Sequence, residues 1–360
     1  MAWLLVVALL ALMLGSGVLW WWSRHGLTPR GKPQAFEVVQ TEDRAALSRA
    51  LAEQGLIDRP RLFALYLELF WRRSTIEPGP HLLSPGMSPA LLAACLVRAP
   101  RQQVKVTIPE GQNQFQIARR LEEAGVSLAS AFLAASRSAP LLAALGVRAK
   151  TAEGYLFPAT YDLNLDAVPE LILKNFVREG QRRYQALAAR HSAAVQRLRD
   201  TLSWGPHEVI TLASIVEKES GVASERGLVA GVFYNRLRDA TFRPLRMLQS
   251  DPTAAYGCLL PETVAASCGA YKGTVTPDML RDPDNPYNTY KHAGLPPGPI
   301  GNPGEATLEA VLDPPDTAYL FFVAAKDGRG HVFSRTWAEH QAAVDDLSSD
   351  QNVRRARPSP

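Results

Sequence analysis

Cysteine is scarce in this chain, and no short spacing joins the few that it has. Three cysteines occur among 360 residues without a Cys-x-x-Cys pair, and the seven histidines are scattered. Zinc and redox sites usually need clusters of thiols and imidazoles. No glycine-rich phosphate loop is present either. The sequence therefore predicts no metal and no nucleotide cofactor.

Charge is also limited. Charged residues make up 21% of the chain, hydrophobic residues make up 46%, and the net charge is +4. This balance argues against a disordered chain and against a polytopic membrane protein. No signature of a nucleic-acid-binding fold accompanies the mildly basic charge, so nucleic acid is not expected as a partner. The length predicts roughly two folded domains.

The N-terminus is the exception to this modest hydrophobicity. Ala2 to Trp22 is a run of 21 residues without a charge, close to what a membrane-spanning helix needs, and no A-x-A cleavage site follows it. Three tryptophans close the run, as in an interfacial aromatic belt. We expect a retained transmembrane anchor. By the positive-inside rule, the basic residues Arg24, Arg30 and Lys32 favour a cytoplasmic location for the chain that follows the anchor.

A weak internal repeat follows the anchor and a short linker. FEVV precedes a helical pattern that ends in LSRALAEQGL at Leu47–Leu56, and VKVTI precedes a similar pattern that ends in IARRLEEAGV at Ile117–Val126. Each copy combines a β-branched strand with a helix that ends at a glycine, Gly55 or Gly125. These patterns predict small strand and helix units.

The segment ITLASIVEKES, at residues 210–220, has the spacing of a helix, and the helix breaker Gly221 follows at once. Apolar residues three, four and seven positions before Glu219 place this carboxylate on the apolar face of the helix. Desolvation and the negative end of the helix dipole should both raise the pKa of Glu219. A protonated carboxyl is suited to general acid catalysis. Glu217 lies on a more mixed face and is the weaker candidate.

Further motifs accompany this helix in a fixed order. They are EGYLFPATYDL at Glu153–Leu163, LQSDPT at Leu248–Thr253, YNTY at Tyr287–Tyr290 and GLPPGPIGNPG at Gly294–Gly304. Together with LASIVEKES, the set resembles the YceG-like family of endolytic murein transglycosylases, from about Phe36 to Leu347. Five separated motifs in one order are far more specific than a single short pattern.

The resemblance implies cleavage of the β-1,4 bond between N-acetylmuramic acid and N-acetylglucosamine in nascent peptidoglycan, with a 1,6-anhydro-muramyl end. It implies that Glu219 protonates the glycosidic oxygen and then acts as a base on the muramyl 6-hydroxyl. It also implies a set of residues that position sugars or stabilise charge: Glu153, Tyr155, Gln249, Asp251, Thr253, Tyr287, Asn288 and Tyr290.

The resemblance further implies an α+β fold on a single-pass inner-membrane anchor, with the catalytic part outside the cytoplasm, opposite to what the basic residues after the anchor favour. Peptidoglycan synthases and elongation proteins are the implied protein partners. The expected division is an anchor over 1–22, a linker over 23–34, a LysM-like wall-binding region over 35–148, a mixed α/β catalytic domain over 149–347 and a disordered tail over 348–360.

The residues themselves leave other interpretations open. Glu219 can be a solvated carboxylate in a frayed last turn, Asp251 can cap its own backbone before Pro252, and Tyr155 can be ordinary core. If Asp251 activates water or acts as nucleophile, the enzyme is a lysozyme-like hydrolase. A non-catalytic wall-binding scaffold is a third possibility.

Two regions depart from the family pattern. The connection between Tyr256 and Tyr287 looks long, and it contains Cys258 and Cys268, whose pairing the sequence leaves open. The stretch between Leu237 and Leu248 also looks extended. The proline- and glycine-rich segment at Gly294–Gly304 is expected to be irregular surface chain that lines a groove.

Overall fold

The structure is a computed structural model that describes residues 15, 17–24, 33–39, 43–97, 103–165, 167–326 and 330–356. The described chain has a mixed α+β fold in two compact units. One comprises Met1–Val104 with Asn164–Leu171, and the other comprises Lys105–Leu163 with Ile172–Pro360. The boundary expected after residue 148 does not coincide with this division. Residues 105–148 belong to the second unit, in which the Ile108 N–H donates to the Ala159 carbonyl at 2.8 Å.

Between residues 33 and 97, the first unit contains a two-stranded antiparallel sheet and three helices. In the sheet, Gln34 lies opposite Leu83 and Val38 lies opposite Gly79. The elements are β1 (Gln34–Val38), α1 (Arg44–Glu53), α2 (Pro60–Phe70), β2 (Gly79–Leu83) and α3 (Pro89–Val97). Fully buried apolar side chains from all three helices and from β2 form one core, as shown by Leu51, Phe63, Leu83 and Leu92.

The expected anchor at Ala2–Trp22 lies mostly outside the described residues. Of that run the structure describes residue 15 and residues 17–22, in a helical conformation. Within the described ranges, no helix combines the length and the apolar character needed to cross a membrane.

The remaining elements are mostly helical, with two further two-stranded sheets, β3 with β4 and β5 with β6. In chain order they are β3 (Gln103–Thr107), α4 (Gln114–Glu123), α5 (Ala129–Ser136), α6 (Ala139–Ala144), β4 (Thr160–Asn164), α7 (Pro169–Arg190), α8 (Ser192–Leu202), α9 (Pro206–Glu219), α10 (Arg226–Arg238), α11 (Asp251–Gly257), α12 (Pro277–Arg281), α13 (Glu305–Leu312), β5 (Phe321–Ala324), β6 (His331–Ser334) and α14 (Trp337–Ala356).

The two repeat copies have the local structure that the sequence predicts. Each is a strand followed by a helix, β1 with α1 and β3 with α4. Gly55 and Gly125 follow these helices with φ of 70° and 69°, a conformation that glycine adopts without steric cost. In each copy the N–H after the glycine donates to the carbonyl five residues earlier at 2.9 Å, which satisfies a free helix-end carbonyl.

Helix α9 is the central helix of the second unit. It begins at Pro206, where the missing N–H costs nothing, and the Glu208 carboxylate accepts from the Gly205 N–H at 2.8 Å. All residues from Val209 to Val216 are buried, and the helix packs on α10, α11 and α13. Each buried Val, Leu or Ile side chain stabilises the fold by about 1.5–3 kcal/mol. The end of α9 is therefore held in place by packing on several sides.

Helix bounds differ from expectation at two places. The long helical region expected over residues 167–198 is two helices that meet at His191, α7 and α8. Helix α14 runs to Ala356, into the stretch expected to be a disordered tail, because neither proline nor glycine interrupts residues 348–356.

The proline- and glycine-rich segment is irregular as expected, but the expectation that it lies on the surface is wrong for its second half. Residues 298–304 are buried. Buried backbone groups need partners, and this segment has them. The Ile300 N–H donates to the Ser214 hydroxyl at 2.9 Å, the Asn302 N–H donates to the Gln112 carbonyl at 2.9 Å, and the Asn302 carbonyl accepts from the Gly111 N–H at 2.8 Å.

The long connection after α11 is closed by a disulfide bond between Cys258 and Cys268, which are ten residues apart. The third cysteine, Cys95, is free. The bond restricts the conformations of the inserted segment in the unfolded chain as well as in the folded one.

Glu153 joins three segments that are far apart in sequence. Its side chain is almost fully buried, and burial raises its pKa to about 7. Its carboxylate accepts from the Gln114 N–H at 2.9 Å, from the Tyr256 hydroxyl at 2.9 Å and from the Asn302 amide at 2.8 Å. The carboxylate thus ties the start of α4, helix α11 and the buried irregular segment together.

We expect Glu153→Ala to lower the free energy of unfolding by at least about 3 kcal/mol, because three buried donors lose their acceptor and each costs roughly 1–3 kcal/mol. Urea unfolding followed by circular dichroism measures this. Asp345→Ala on the exposed side of α14 is the matched control and should change stability by less than about 0.5 kcal/mol. Equal stabilities of the two variants would show that Glu153 does not hold these segments together.

Candidate functional site

Glu219 is the last residue of α9, and its side chain is partly buried. The Ser250 hydroxyl donates to Glu219 Oε1 at 2.5 Å. The sequence prediction named both neighbours of Ser250 but not Ser250 itself. The signal that could have identified Ser250 is its position in LQSDPT, where its hydroxyl lies between two predicted site residues.

The backbone around Ser250 is held by side chains from two motifs. Gln249 has φ of 54°, in the left-handed region that a non-glycine residue adopts only when its surroundings require it. The Ser250 N–H donates to the Thr289 hydroxyl at 3.0 Å, and the Thr253 hydroxyl donates to the Ser250 carbonyl at 2.6 Å. The two threonine hydroxyls are themselves 2.8 Å apart. LQSDPT and YNTY therefore act together to aim Ser250 at Glu219.

The pKa of Glu219 is raised, and burial of its carboxyl is the main cause. The negative charge of Asp251 raises it further. The Ser250 hydrogen bond and the positive charges of His331 and Arg236 act in the opposite direction. The net direction agrees with the sequence prediction and suits an acid that keeps its proton.

Asp251 begins α11 and is exposed. Its carboxylate accepts from the Tyr290 hydroxyl at 2.7 Å. Burial and the Asp251 carboxylate both raise the pKa of Tyr290, so this phenol keeps its proton. Asp251 and Tyr290, both predicted site residues, thus form one hydrogen-bonded pair next to Ser250.

Glu217 has a different role from Glu219. Its carboxylate accepts from the Gly304 N–H at 3.0 Å and from the Thr307 hydroxyl at 2.5 Å, at the beginning of α13. Arg226 Nη2 lies 3.5 Å from it. Because α9 is buried on all its faces, the apolar stripe alone does not separate the two carboxylates. Their partners do: Glu217 caps a helix, and Glu219 faces Ser250.

The sequence prediction missed Arg236, a buried cation near Glu219. Its Nε donates to the Leu320 carbonyl at 2.7 Å, and its Nη1 donates to the Leu248 carbonyl. Aromatic rings, including those of Phe242 and Phe321, surround the guanidinium at 5.5–5.9 Å. Burial lowers the pKa of Arg236 to about 10, so it remains charged at neutral pH. Its carbonyl partner Leu248 begins the LQSDPT motif.

Glu225 and His331 form a second pair near Glu219. Glu225 Oε2 lies 2.8 Å from His331 Nδ1, and Glu225 Oε1 accepts from the His331 N–H at 3.0 Å. Gly330 precedes the histidine with φ of 91°, and a Cβ there would lie 2.3 Å from Glu225 Oε1. The glycine therefore allows the carboxylate to approach the backbone of β6.

Three of the predicted site residues are buried and make hydrogen bonds to other parts of the chain. Glu153 is the buried link already described. Thr253 is fully buried and supports Ser250. Asn288 is also fully buried, and its amide donates to the carbonyls of Met279 at 3.1 Å and of Asp282 at 2.8 Å. A sugar-binding role for these side chains is not supported by their contacts.

The two remaining tyrosines line other cavities. The Tyr155 hydroxyl lies 2.9 Å from His207 Nδ1, and Tyr155 lines a cavity of about 570 Å³. The Tyr287 ring packs on Tyr256 with centroids 5.2 Å apart and lines a cavity of about 740 Å³. Burial raises the pKa of both tyrosines to about 12.

A larger cavity of about 770 Å³, which we call the Lys218 cleft, is lined by the chain neighbours of Glu219 and Ser250 and not by these two residues themselves. Lys218 precedes Glu219 on α9, and Asp251 follows Ser250; both line the cleft. Other parts of its lining come from α4, α11 and the segment after the disulfide. Among the described residues, no group of three or more His, Cys, Asp or Glu side chains is placed to hold a metal ion.

Several known proteins are similar to this chain in sequence. Endolytic murein transglycosylase of Bacillus subtilis (strain 168) is 34% identical over 200 residues, which are 56% of this chain and 49% of that protein. Endolytic murein transglycosylase of Streptococcus pneumoniae serotype 2 (strain D39) is 28% identical over 310 residues, 77% of this chain and 52% of that protein. The chain spans about half the length of these curated relatives.

A solved structure agrees with the fold. The crystal structure of a YceG-like protein from Listeria monocytogenes superposes with a TM-score of 0.54 at 28% identity, over 86% of this chain and 99% of that chain. The model of the YceG-like family matches residues 36–346. That match includes Glu219, Ser250, Asp251 and Tyr290, and on this evidence the chain belongs to the YceG-like family.

Proposed function

We propose that this protein is an endolytic lytic transglycosylase that cleaves the MurNAc-GlcNAc β-1,4 bond in nascent peptidoglycan and so ends glycan elongation. Relatives at 28–34% identity carry the name endolytic murein transglycosylase. The observation that carries the proposal is the Glu219 carboxyl, whose pKa is raised by burial and whose Oε1 accepts a hydrogen bond from Ser250.

Glu219 acts in two steps. As an acid it transfers its proton to the glycosidic oxygen, and the bond from that oxygen to muramyl C1 breaks with its electron pair on the leaving sugar. The resulting carboxylate then removes the proton of the muramyl 6-hydroxyl, whose oxygen closes on C1 to give the 1,6-anhydro ring. The acid is regenerated, and no water is consumed.

Ser250 supports the ionised form of Glu219, which acts in the second step. Its hydroxyl stabilises the ionised carboxylate that remains after proton transfer, and it limits the rotation of that carboxylate. The first step needs the protonated form, so activity should fall as the pH rises through the raised pKa of Glu219. Gln249, Asp251 and Tyr290 are proposed to contact the sugars; their positions, flanking Ser250 or hydrogen-bonded next to it, support this.

The exposed carboxylate of Asp251 supports a second candidate, a lysozyme-like hydrolase in which Asp251 activates water or attacks C1. The two reactions leave different ends. A transglycosylase leaves anhydro-muramyl ends, and a hydrolase leaves reducing ends.

The location proposed for the protein is the inner membrane, with the enzyme on the wall side, where its substrate lies. The uncharged run at Ala2–Trp22 and the names of the relatives support this. Residues 35–148 are proposed to include a LysM-like wall-binding part, and peptidoglycan synthases and elongation proteins are the proposed partners.

A reporter fused after Pro360 tests the location. An alkaline phosphatase fusion should be active, and a fusion to a reporter that works only in the cytoplasm should be inactive, despite Arg24, Arg30 and Lys32. The reverse pattern would contradict both the orientation and the substrate.

The catalytic proposal is tested by digestion of purified peptidoglycan with identification of the product ends. Glu219→Gln keeps the shape of the side chain but has no proton to transfer, so the rate should fall by roughly 100- to 10,000-fold. The wild-type products should carry anhydro-muramyl ends.

Glu217→Gln is the matched control on the same helix, since an amide oxygen still accepts from Gly304 and Thr307. It should keep most of the activity. Reducing ends in the wild-type digest would establish the hydrolase instead. If Glu217→Gln is inactive and Glu219→Gln is active, the assignment of the catalytic acid to Glu219 is wrong.

A further inference from the structure

The Lys218 cleft is rich in basic side chains. Four cationic residues line it against two carboxylates, Glu123 and Asp251. The cationic residues are Arg119, Arg120, Lys218 and Lys272. None of these four forms a salt bridge with another residue in the part of the chain that the structure describes. The cleft therefore presents an excess of positive charge.

Two buried polar atoms in this lining have no partner. Arg120 Nε and Gln112 Oε1 are shielded from solvent and make no hydrogen bond to any described residue. These two atoms have almost no accessible surface, so a ligand in the cleft would be recognised by the charged groups of the lining instead.

One wall of the cleft comes from the segment that departs from the family pattern. The lining residues from it are Leu259, Tyr271, Lys272, Gly273 and Val275. The Cys258–Cys268 disulfide closes a loop that contains Leu259 and ends shortly before Tyr271. The disulfide thus limits the movement of this wall relative to α11. Lys272 is carried on it and remains exposed.

The geometry points to the Lys218 cleft as a binding site for the peptide stem of the muramyl residue next to the cleaved bond. This rests on the proposed function. The sugars of murein are uncharged, and the stems that branch from every second sugar carry free carboxylates and amides. Arginine and lysine bind such carboxylates through charge-assisted hydrogen bonds. A cavity of about 770 Å³ can hold several amino-acid residues of a stem. One of its lining residues, Lys218, directly precedes Glu219 in the sequence.

The enzyme consequently distinguishes strands with stems from bare glycan. The test uses the full chain and two uncross-linked substrates. One has intact stems; in the other an amidase has removed the stems and the lactyl carboxylates that this cut exposes have been converted to amides. The wild type should favour the first in kcat/KM by at least about tenfold, the contribution of one charge-assisted hydrogen bond. Added salt should reduce the preference.

Arg120→Gln and Lys272→Gln should each lower this ratio toward one. Lys272 is exposed, so its replacement tests the site without a risk to folding. Arg178→Gln is the matched control: it removes an exposed positive charge from α7, outside the cleft, and should leave the ratio unchanged. A preference that survives both cleft variants would overturn the inference, because the stem would then be recognised elsewhere.

Binding to Glu219→Gln separates this inference from the proposed function. Fluorescence anisotropy with labelled strands should show tighter binding of the stem-bearing strand, and Lys272→Gln in the same background should remove the difference. If that preference is found while the wild type cleaves neither strand, the stem site stands and the proposed function fails. If the wild type cleaves both strands equally and binding shows no preference, the proposed function stands and the stem site is wrong.

Discussion

The site depends on one constraint: the carboxyl of Glu219 is partly withdrawn from water at the end of a helix that is buried on all its faces. Helix α9 is buried on all sides, so its last residue is presented at a fixed point. Burial raises the pKa of Glu219, and Ser250 provides the hydrogen bond that the ionised form requires. An unsupported buried carboxylate would be too costly to form during a reaction, and a solvated one would lose its proton too early.

The surrounding structure serves these two conditions. Thr253 and Thr289 hold the backbone at Ser250, including the left-handed residue Gln249. The other carboxylate near the end of α9, Glu217, anchors the start of α13 and so fixes the helix that packs against α9. Glu153 ties α4 and α11, which form two sides of the Lys218 cleft, to the same core. The acid and the cleft are thus supported by three separate sets of hydrogen bonds in one unit.

Local features were predictable from the sequence because they depend on neighbours along the chain. The start of α9 at Pro206, its end before Gly221 and the glycine ends of α1 and α4 all follow from short patterns. Glu219 was found in this way. The sequence did not reveal the hydrogen bond from Ser250 to Glu219, or those from Tyr256 and Asn302 to Glu153. The partners in these pairs are 31, 103 and 149 residues apart in the sequence. Helical or strand periodicity carries no information over such distances. The burial of residues 298–304 was missed for the same reason: partners in α9 and before α4 satisfy that backbone.

The most direct test of the account is the pKa of Glu219 itself. Carbon-13 NMR titration of the glutamate carboxyls in the full chain, with Glu219 assigned by its loss in Glu219→Gln, measures it without substrate. The account predicts a pKa above the ordinary glutamate value of about 4.3. It predicts a further rise in Ser250→Ala, which removes the hydrogen bond to the ionised form, and a fall in Asp251→Asn, which removes a nearby negative charge. A wild-type value at or below the ordinary one, unchanged in both variants, would contradict it.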